Sequence, residues 1–298
     1  MRAENAPECG HEPDMKANET NAKQLNNLVA RTLQSGMKPF EIALEPVYDC
    51  YYGETEAYRA SLFVNSIISG RLAPEIYMRH GTDEKILSDV SLRALKKILS
   101  LQKSLALKSE TDGETGGEAI NVKTIFVRCA TALLFEPELY SRIKAILKSE
   151  NADGEGVYLE FFPEAFEAET DALKNAFGDI RAAGLKVAID GYGGENFPIE
   201  KLLAVCPDAV FTDEGIAKLV TDREKSAAVA PLINLVKGLG GMVIAENVGS
   251  DDELREFRTR ECFGFIPSAR YSGSTGATKK IFNPEETEET TGEGGLDE

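Results

Sequence analysis

Residues 157–190 read VYLEFFPEAFEAETDALKNAFGDIRAAGLKVAID, and this stretch decides the fold. A short apolar run (157–161) is followed by apolar residues at helical spacing (163–182) and by a second short apolar run (186–189). A strand, an amphipathic helix and another strand form a unit in which the helix connects two parallel strands. The stretch therefore predicts one repeat of an α/β fold.

The same alternation extends from about residue 124 to about residue 266. We count six apolar strands there and two more strands upstream. Eight strands joined in this way predict a closed (β/α)8 TIM-like barrel. The six strands are 124–129, 157–161, 186–189, 209–212, 242–245 and 264–266, and the helices between them are 136–148, 163–182, 198–204, 225–239 and 251–258.

The two upstream strands differ from the others because a short polar turn around Gly53 joins them. Residues 40–47 and 56–64 have strand-like patterns, so we predict an antiparallel strand pair that opens the barrel. A helix is predicted before this pair (22–34) and a long amphipathic helix after it (86–107). The predicted fold class is therefore α/β, a barrel with an antiparallel opening strand pair.

The two ends of the chain have compositions that predict disorder. Residues 1–20 are polar, and residues 273–298 form an acidic, Gly-rich tail. An acidic Gly-rich stretch at 109–119 is predicted to be a mobile loop. Residues 21–272 are then one barrel domain.

Charge and composition exclude several classes of protein. Lys and Arg number 33 and Asp and Glu number 50, a formal net charge of −17 that argues against nucleic-acid binding by bulk electrostatics. No stretch reaches the roughly 18 apolar residues of a membrane helix, and no signal peptide is recognisable, so we expect a cytoplasmic protein with no membrane partner. Two histidines and five cysteines without C-x-x-C spacing disfavour a zinc site.

Chemistry in such a barrel is placed at the carboxyl ends of the strands. Three acids end apolar strands: Glu160 in VYLE, Asp190 in VAID and Glu246 in VIAE. Three converging carboxylates suit a divalent metal such as Mg²⁺, although the spacing alone favours a salt-bridged structural mouth.

From about residue 22 to residue 271 the sequence resembles the EAL domain, the bacterial cyclic-di-GMP phosphodiesterase barrel. No single motif is intact, and the order and spacing of the segments carry the resemblance. The segments are FEIALEPVYD (40–49), RLAPEIYM (71–78), VRCATALLFEPEL (127–139), VYLEFFPEAF (157–166), VAIDGYGGENF (187–197) and VIAENVGSDDEL (243–254).

The resemblance implies hydrolysis of cyclic-di-GMP by two metal ions, Mg²⁺ or Mn²⁺, held in an acidic cage. Carried over by position, that cage is broken. The Glu of Glu-Ala-Leu falls on Arg59, an Asn ligand on Arg128 and the second Asp of a pair on Gly191, while an assisting Lys falls on Phe211 and a late Gln on Ile266. The acids that survive are Glu160, Asp190 and Glu246.

These substitutions predict that no catalytic residue and no metal cofactor is retained. We interpret Arg59 and Arg128 as counter-charges that replace the metals beside the three acids, because desolvated acids without a partner are costly. Alternatively, both arginines have drifted and point to solvent.

The substrate side of the resembled site has changed as well. An Arg of the family falls on Phe63, so Phe63, Phe211 and Ile266 make the strand ends more apolar, either as a contact surface or as plugged core. The turn at 191–194 keeps glycines but lacks the family's Asp, Thr and Ser. Because EAL domains often dimerise near this turn, a homodimer is expected by analogy.

Three functions follow from these observations. The first, which the sequence favours, is a catalytically inactive EAL-like domain that acts as a bacterial regulatory protein through a protein partner. The second is a metal-free sensor of cyclic-di-GMP or another nucleotide, in which Arg59 and Arg128 bind phosphate. The third is a residual phosphodiesterase that uses Glu160, Asp190 and Glu246 around one metal.

Overall fold

The computed structural model describes residues 24, 27–31, 40–66, 70–80, 83–111, 124–195, 197–269, 271 and 280–282. The strands of this part of the chain form one sheet that closes on itself. They are β1 (Phe40–Tyr48), β2 (Thr55–Ser66), β3 (Gly70–Leu72), β4 (Ile125–Cys129), β5 (Val157–Phe161), β6 (Lys186–Tyr192), β7 (Ala209–Thr212), β8 (Met242–Val248), β9 (Gly264–Pro267) and β10 (Lys280–Phe282).

The barrel is closed by the first strand. Strands β2 and β4 to β9 pair in parallel in chain order, and β1 lies between β9 and β2, antiparallel to both. The β1–β2 register runs from Phe40 opposite Val64 to Tyr48 opposite Thr55. The predicted (β/α)8 barrel with an antiparallel opening strand pair is thus confirmed.

Helices surround the barrel, and residues 27–31 are also helical. None of the described helices is long and apolar enough to cross a membrane. The helices are α1 (Pro74–His80), α2 (Glu84–Thr111), α3 (Leu139–Glu150), α4 (Thr170–Ala182), α5 (Ile199–Val205), α6 (Ile216–Leu219), α7 (Ser226–Gly238) and α8 (Asp251–Thr259), with 3₁₀ helices at Thr131–Phe135 and Pro163–Glu167.

Two predicted helices start later than the sequence indicates. The helix predicted at 163–182 is divided, because Ala168 and Glu169 adopt extended backbone between a 3₁₀ turn and α4. The helix predicted from residue 136 begins at Leu139, since Glu136 precedes a proline and is extended. The short elements β3 and α1 were not predicted from the sequence.

Side chains alternate between two layers along the strands. In β4, Ile125 and Val127 face the helices, whereas Phe126 lies inside the barrel. The barrel interior also contains Phe211 and Ile266, which are 0% and 5% exposed. These two side chains are therefore plugged core, and the suggestion that they form a contact surface at the mouth is wrong.

The C-terminal segment contains a strand that the sequence did not predict. Lys280–Phe282 pairs antiparallel with Ile42–Leu44 of β1. Strand β9 pairs with β1 only at Tyr48, so the other part of this β1 edge offers backbone groups that β10 can pair. The prediction that residues 273–298 are disordered throughout is therefore wrong at these three residues.

The other expectations of disorder fall mainly outside the described part of the chain. The N-terminal segment 1–20 lies wholly outside it, as do residues 112–119 of the predicted loop. The first residues of that loop, 109–111, belong to α2, so the helix is longer than its apolar pattern predicts.

Two truncations test the role of β10. Ending the chain after residue 272 removes the strand, and we expect the loss of its backbone hydrogen bonds to lower the unfolding free energy by about 2 kcal/mol. The melting temperature then falls by about 5 °C. Ending the chain after residue 283 keeps β10 and removes most of the acidic tail, so this control is expected to melt like the full chain.

Candidate functional site

Inward-facing side chains meet at the carboxyl ends of the parallel strands. Each lies two residues beyond a side chain of the barrel interior, so strand alternation points it towards the barrel axis. The set comprises Arg59 on β2, Arg128 on β4, Glu160 on β5, Asp190 on β6, Phe211 on β7 and Glu246 on β8.

Arg59 lies among the three acids. Its Nε donates to both carboxylate oxygens of Glu160, at 2.9 and 3.0 Å, and its Nη2 lies 2.5 Å from Glu160 Oε1. Nη2 is also 3.0 Å from Asp190 Oδ2, and Nη1 donates to Glu246 Oε1 at 2.5 Å. The side chain is 1% exposed, so one buried guanidinium connects acids from three strands.

Arg128 forms a second bridge across the same acids. Its Nε donates to Glu160 Oε1 at 3.0 Å, and its Nη2 donates to Asp190 Oδ2 at 3.0 Å. Its Nη1 donates to Glu75 at the start of α1. The structure therefore brings both arginines and all three acids together, and neither guanidinium points away to solvent.

Glu75 was missed by the sequence reasoning. It lies in the segment RLAPEIYM, directly after the proline that begins α1, and that segment was used only for the resemblance. An acid in the first turn of a helix is common for reasons of the helix dipole alone. Its position therefore carried no signal that it would contact Arg128.

Burial and ion pairing together set the protonation of the site. Burial lowers the pKa of Arg59, but the neighbouring Glu160, Glu246 and Asp190 outweigh it and raise this pKa well above its usual value. Burial raises the pKa of Asp190, yet Arg59 and Arg128 more than offset it, and the pKa is lowered. The site therefore keeps charged Arg59 beside ionised Asp190.

The residue beneath Arg59 suits a guanidinium. The Arg59 Cζ lies 4.2 Å from the centre of the Phe211 ring, at the position where the resembled family has a lysine. An aromatic face attracts a cation, whereas a lysine here would place two positive charges side by side. Phe211 is therefore compatible with Arg59 in a way that the family's lysine is not.

A glycine with left-handed backbone occupies the position of the family's second acid. Gly191 has φ of 72°, and a Cβ added there would lie 3.2 Å from Pro163 Cγ. An L-residue at this φ is strained, and the contact with the proline is tight. The Gly191 N–H donates to Asp190 Oδ1 at 2.7 Å, so the backbone itself contacts the remaining acid.

The residues present do not fit a divalent metal cage. Oxygens of Glu160, Asp190 and Glu246 accept from guanidinium nitrogens, and two cations already stand among them. Within the described ranges, no group of three His, Cys, Asp or Glu side chains has an arrangement that could hold a metal ion.

Arg59, Arg128, Glu160, Asp190 and Glu246 together form an ion-pair cluster. A cleft of about 560 Å³ opens above this ion-pair cluster. Arg59 and Arg128 form part of its floor, and Phe63 lies in its wall. Phe63 is half-buried, with the Arg71 guanidinium 3.6 Å from its ring centre. Of the three apolar substitutions, Phe63 alone lines this cleft.

The sequence also matches a family model. The model, described as EAL domain, matches residues 29–265. This chain belongs to the EAL domain family. The resemblance drawn from the order and spacing of its segments is therefore confirmed, and the chain is a member of a family of cyclic-di-GMP signalling proteins. No curated protein sequence matches it significantly.

Solved EAL structures share the fold. The EAL enzyme Bd1971, with cAMP and cyclic-di-GMP bound, has a TM-score of 0.69 at 16% identity, over 86% of this chain and 66% of that one. BlrP1 of Klebsiella pneumoniae, in a manganese and cyclic-di-GMP complex, has a TM-score of 0.63 at 18% identity. The match covers 83% of this chain and 57% of BlrP1. The FimX EAL domain from Pseudomonas aeruginosa, bound to cyclic-di-GMP, has a TM-score of 0.66 at 15% identity. The match covers 82% of this chain and 95% of the FimX domain.

These likenesses show the fold. This EAL domain chain spans just under two thirds of Bd1971 and a little over half of BlrP1, so it corresponds to a part of each of those proteins.

Removing either arginine tests the ion-pair cluster. We expect Arg128→Ala and Arg59→Glu each to lower the unfolding free energy by about 3 kcal/mol, because the acids lose a buried partner. Both variants should also gain a Mg²⁺-dependent rise in melting temperature that the wild type lacks, since the acids regain an unfilled cage. Thermal melting with EDTA and with millimolar Mg²⁺ measures both effects.

Arg255→Ala is the matched control for that experiment. Arg255 is 68% exposed and pairs with Asp252 on the surface, so its removal should change stability little and leave the response to metal unchanged. If the Arg59 and Arg128 variants melt like this control, with and without metal, the cluster does not hold the strand ends together. If Mg²⁺ raises the melting temperature of the wild type, the conclusion that Glu160, Asp190 and Glu246 do not fit a divalent metal is wrong.

The pH dependence of stability tests Glu246. Burial raises the pKa of Glu246, the positive charge of Arg59 lowers it, and the negative charge of Asp190 raises it. Together these effects raise the pKa of Glu246 from its ordinary value of 4.5 to about 7. As the pH rises from 4.5 to 7, the unfolded chain releases this proton before the folded chain does. The wild type therefore loses stability over this range relative to Glu246→Gln, as urea unfolding at several pH values would measure.

The comparison with Glu246→Gln separates Glu246 from Asp190. The lowered pKa of Asp190 stabilises the folded protein at higher pH and acts in both proteins, so it largely cancels in the difference. A constant difference in stability between the two proteins from pH 4.5 to 7 would contradict the raised pKa of Glu246.

Proposed function

We propose that this EAL domain is catalytically inactive and acts as a bacterial regulatory protein, in the cytoplasm, through contact with another protein. The observation that carries the proposal is the Arg59 guanidinium, which is bonded to Glu160 and Glu246 and lies 3.0 Å from Asp190. Hydrolysis of a phosphodiester by two metals needs those carboxylates as ligands. With their oxygens bonded to arginine, the scaffold keeps its shape and lacks the chemistry.

Metal-free binding of cyclic-di-GMP is the second candidate function. Cyclic-di-GMP is bound to the FimX EAL domain from Pseudomonas aeruginosa, which shares this fold, and two arginines reach the cleft in this chain. Against it, Nε, Nη1 and Nη2 of both arginines donate to carboxylates or lie within ion-pair distance of them. A phosphate would have to displace these bonds, so the candidate ranks below the first.

A residual phosphodiesterase is the third candidate. It would need Glu160, Asp190 and Glu246 to hold one metal, and the two arginines would have to leave their present positions. Breaking buried ion pairs is costly, so this candidate is the least supported of the three.

Self-association is a further part of the proposal. By analogy with other EAL domains, we propose that a homodimer forms beside the glycine turn at 191–194. Helix α5 follows this turn, and its Ile199 and Leu203 are 43% and 47% exposed one helical turn apart. An exposed apolar pair of this kind is suited to a contact between subunits.

Incubation with cyclic-di-GMP tests the proposed inactivity. With Mg²⁺ or Mn²⁺ present, chromatography of the reaction should show no linear product, and a fluorescent cyclic-di-GMP titration should show no binding that depends on metal. Turnover by the wild type that disappears in Glu160→Gln would establish the residual enzyme instead. Binding that needs no metal and is lost in Arg128→Ala would favour the sensor.

A further inference from the structure

The cleft above the ion-pair cluster has a charge that the cluster does not neutralise. Among the described residues, six carboxylates line it against the two guanidiniums of Arg59 and Arg128, which gives this part of the lining a formal charge of −4. The six are Glu45, Glu75, Asp190, Asp213, Glu214 and Glu246. A low-dielectric cleft lined by one sign of charge attracts ligands of the other sign.

The acids of the outer wall are not all satisfied within the protein. Asp213 and Glu214 follow β7, and no Lys or Arg among the described residues forms an ion pair with either. Asp213 is half-buried, and its Oδ1 accepts the Gly215 N–H at 2.8 Å, whereas Glu214 is exposed. These carboxylates can therefore pair with a cation that enters from outside.

A serine hydroxyl in the cleft wall is a second, independent indication of a ligand. Ser61 lies on β2 in the wall of the cleft and is 7% exposed. Within the part of the chain that the structure describes, its hydroxyl has no hydrogen-bond partner. The rest of the side chain is buried and the oxygen faces the cleft, so a donor group that enters the cleft can bond to this hydroxyl.

The same observations argue against two other classes of ligand. A diester with two negative charges meets a cleft of net negative charge and two arginines already engaged. A divalent metal needs several convergent oxygens that are not bonded to other cations, and the described residues offer no such group. What fits is a monovalent cation with N–H donors and an apolar stem, which packs against Phe63 and Pro163 of the wall.

We propose that the cleft binds a Lys or Arg side chain presented by a basic segment of a partner protein. The inference rests on the proposed function, since it names the chemistry of the partner at the inactivated site. The inserted cation pairs with Asp213 and Glu214 and donates to the Ser61 hydroxyl. Ile76, next to Glu75 of the cleft wall, is 47% exposed and offers apolar contact to the surface around the inserted side chain.

The test uses a labelled peptide, acetyl-(Gly-Arg)₃-amide, and the full chain in EDTA without nucleotide. Fluorescence anisotropy should show binding of this peptide, and no binding of the peptide with Ala in place of Arg. The double variant Asp213→Asn/Glu214→Gln should weaken binding about tenfold, because two charges near the cation are lost. Ser61→Ala should weaken it about threefold, the effect of one hydrogen bond.

A control with the same charge change separates the cleft from the overall acidity of the chain. Glu56→Gln/Glu155→Gln removes two exposed acids at the amino ends of β2 and β5, at the opposite end of the barrel. It should change peptide binding less than twofold. Equal weakening by the two double variants, or no weakening by either, overturns the proposal. So does free argininamide that binds as tightly as the peptide, because the ligand is then a small molecule.

Folding and activity are checked separately. Asn at position 213 keeps the oxygen that accepts the Gly215 N–H, so the variants should melt like the wild type. If the chain hydrolyses cyclic-di-GMP and still binds the peptide at the cleft, the proposed inactivity fails and the cleft assignment stands. If hydrolysis is absent and the cleft variants bind normally, the cleft assignment alone fails.

Discussion

The arrangement of the barrel mouth depends on one buried guanidinium. Arg59 is 1% exposed and contacts carboxylates from β5, β6 and β8, none of which is adjacent to its own strand, β2. Three acids brought together at low dielectric repel one another and each pays a desolvation cost. Because a single planar cation reaches all three, the strands can end at this spacing without a metal ion.

The residues around Arg59 suit a guanidinium at this position. Phe211 places an aromatic face 4.2 Å from the guanidinium, and Arg128 adds a second cation that bonds to Glu160 and Asp190. Gly191, at the position of the second acid of the family's pair, has a positive φ, and its N–H donates to Asp190 Oδ1. Each of these three residues suits a barrel mouth in which arginine side chains bond to the acids. Together they stabilise the strand ends of the barrel through ion pairs.

The acidic charge at this end of the barrel is divided into two sets. The inner acids, Glu160, Asp190 and Glu246, are paired with arginines and hold the strand ends. The outer acids, Asp213 and Glu214, lie on the loop after β7 and leave the cleft negative. The first set contributes to stability, and the second gives the surface a preference for cationic ligands.

The sequence alone was enough to predict the barrel, the antiparallel opening pair and the strand ends at which Arg59, Arg128 and the three acids lie. These features depend on local periodicity, which sets where each strand ends and which side chains face inward. The tertiary structure was needed to show that Arg59 and Arg128 bond to the acids and do not point to solvent. It also showed that Glu75 bonds to Arg128, that Ser61 and Asp213 share a cleft, and that Lys280–Phe282 pairs with β1. Such contacts join segments far apart in the chain, and no local pattern encodes which distant backbone or side chain will meet them.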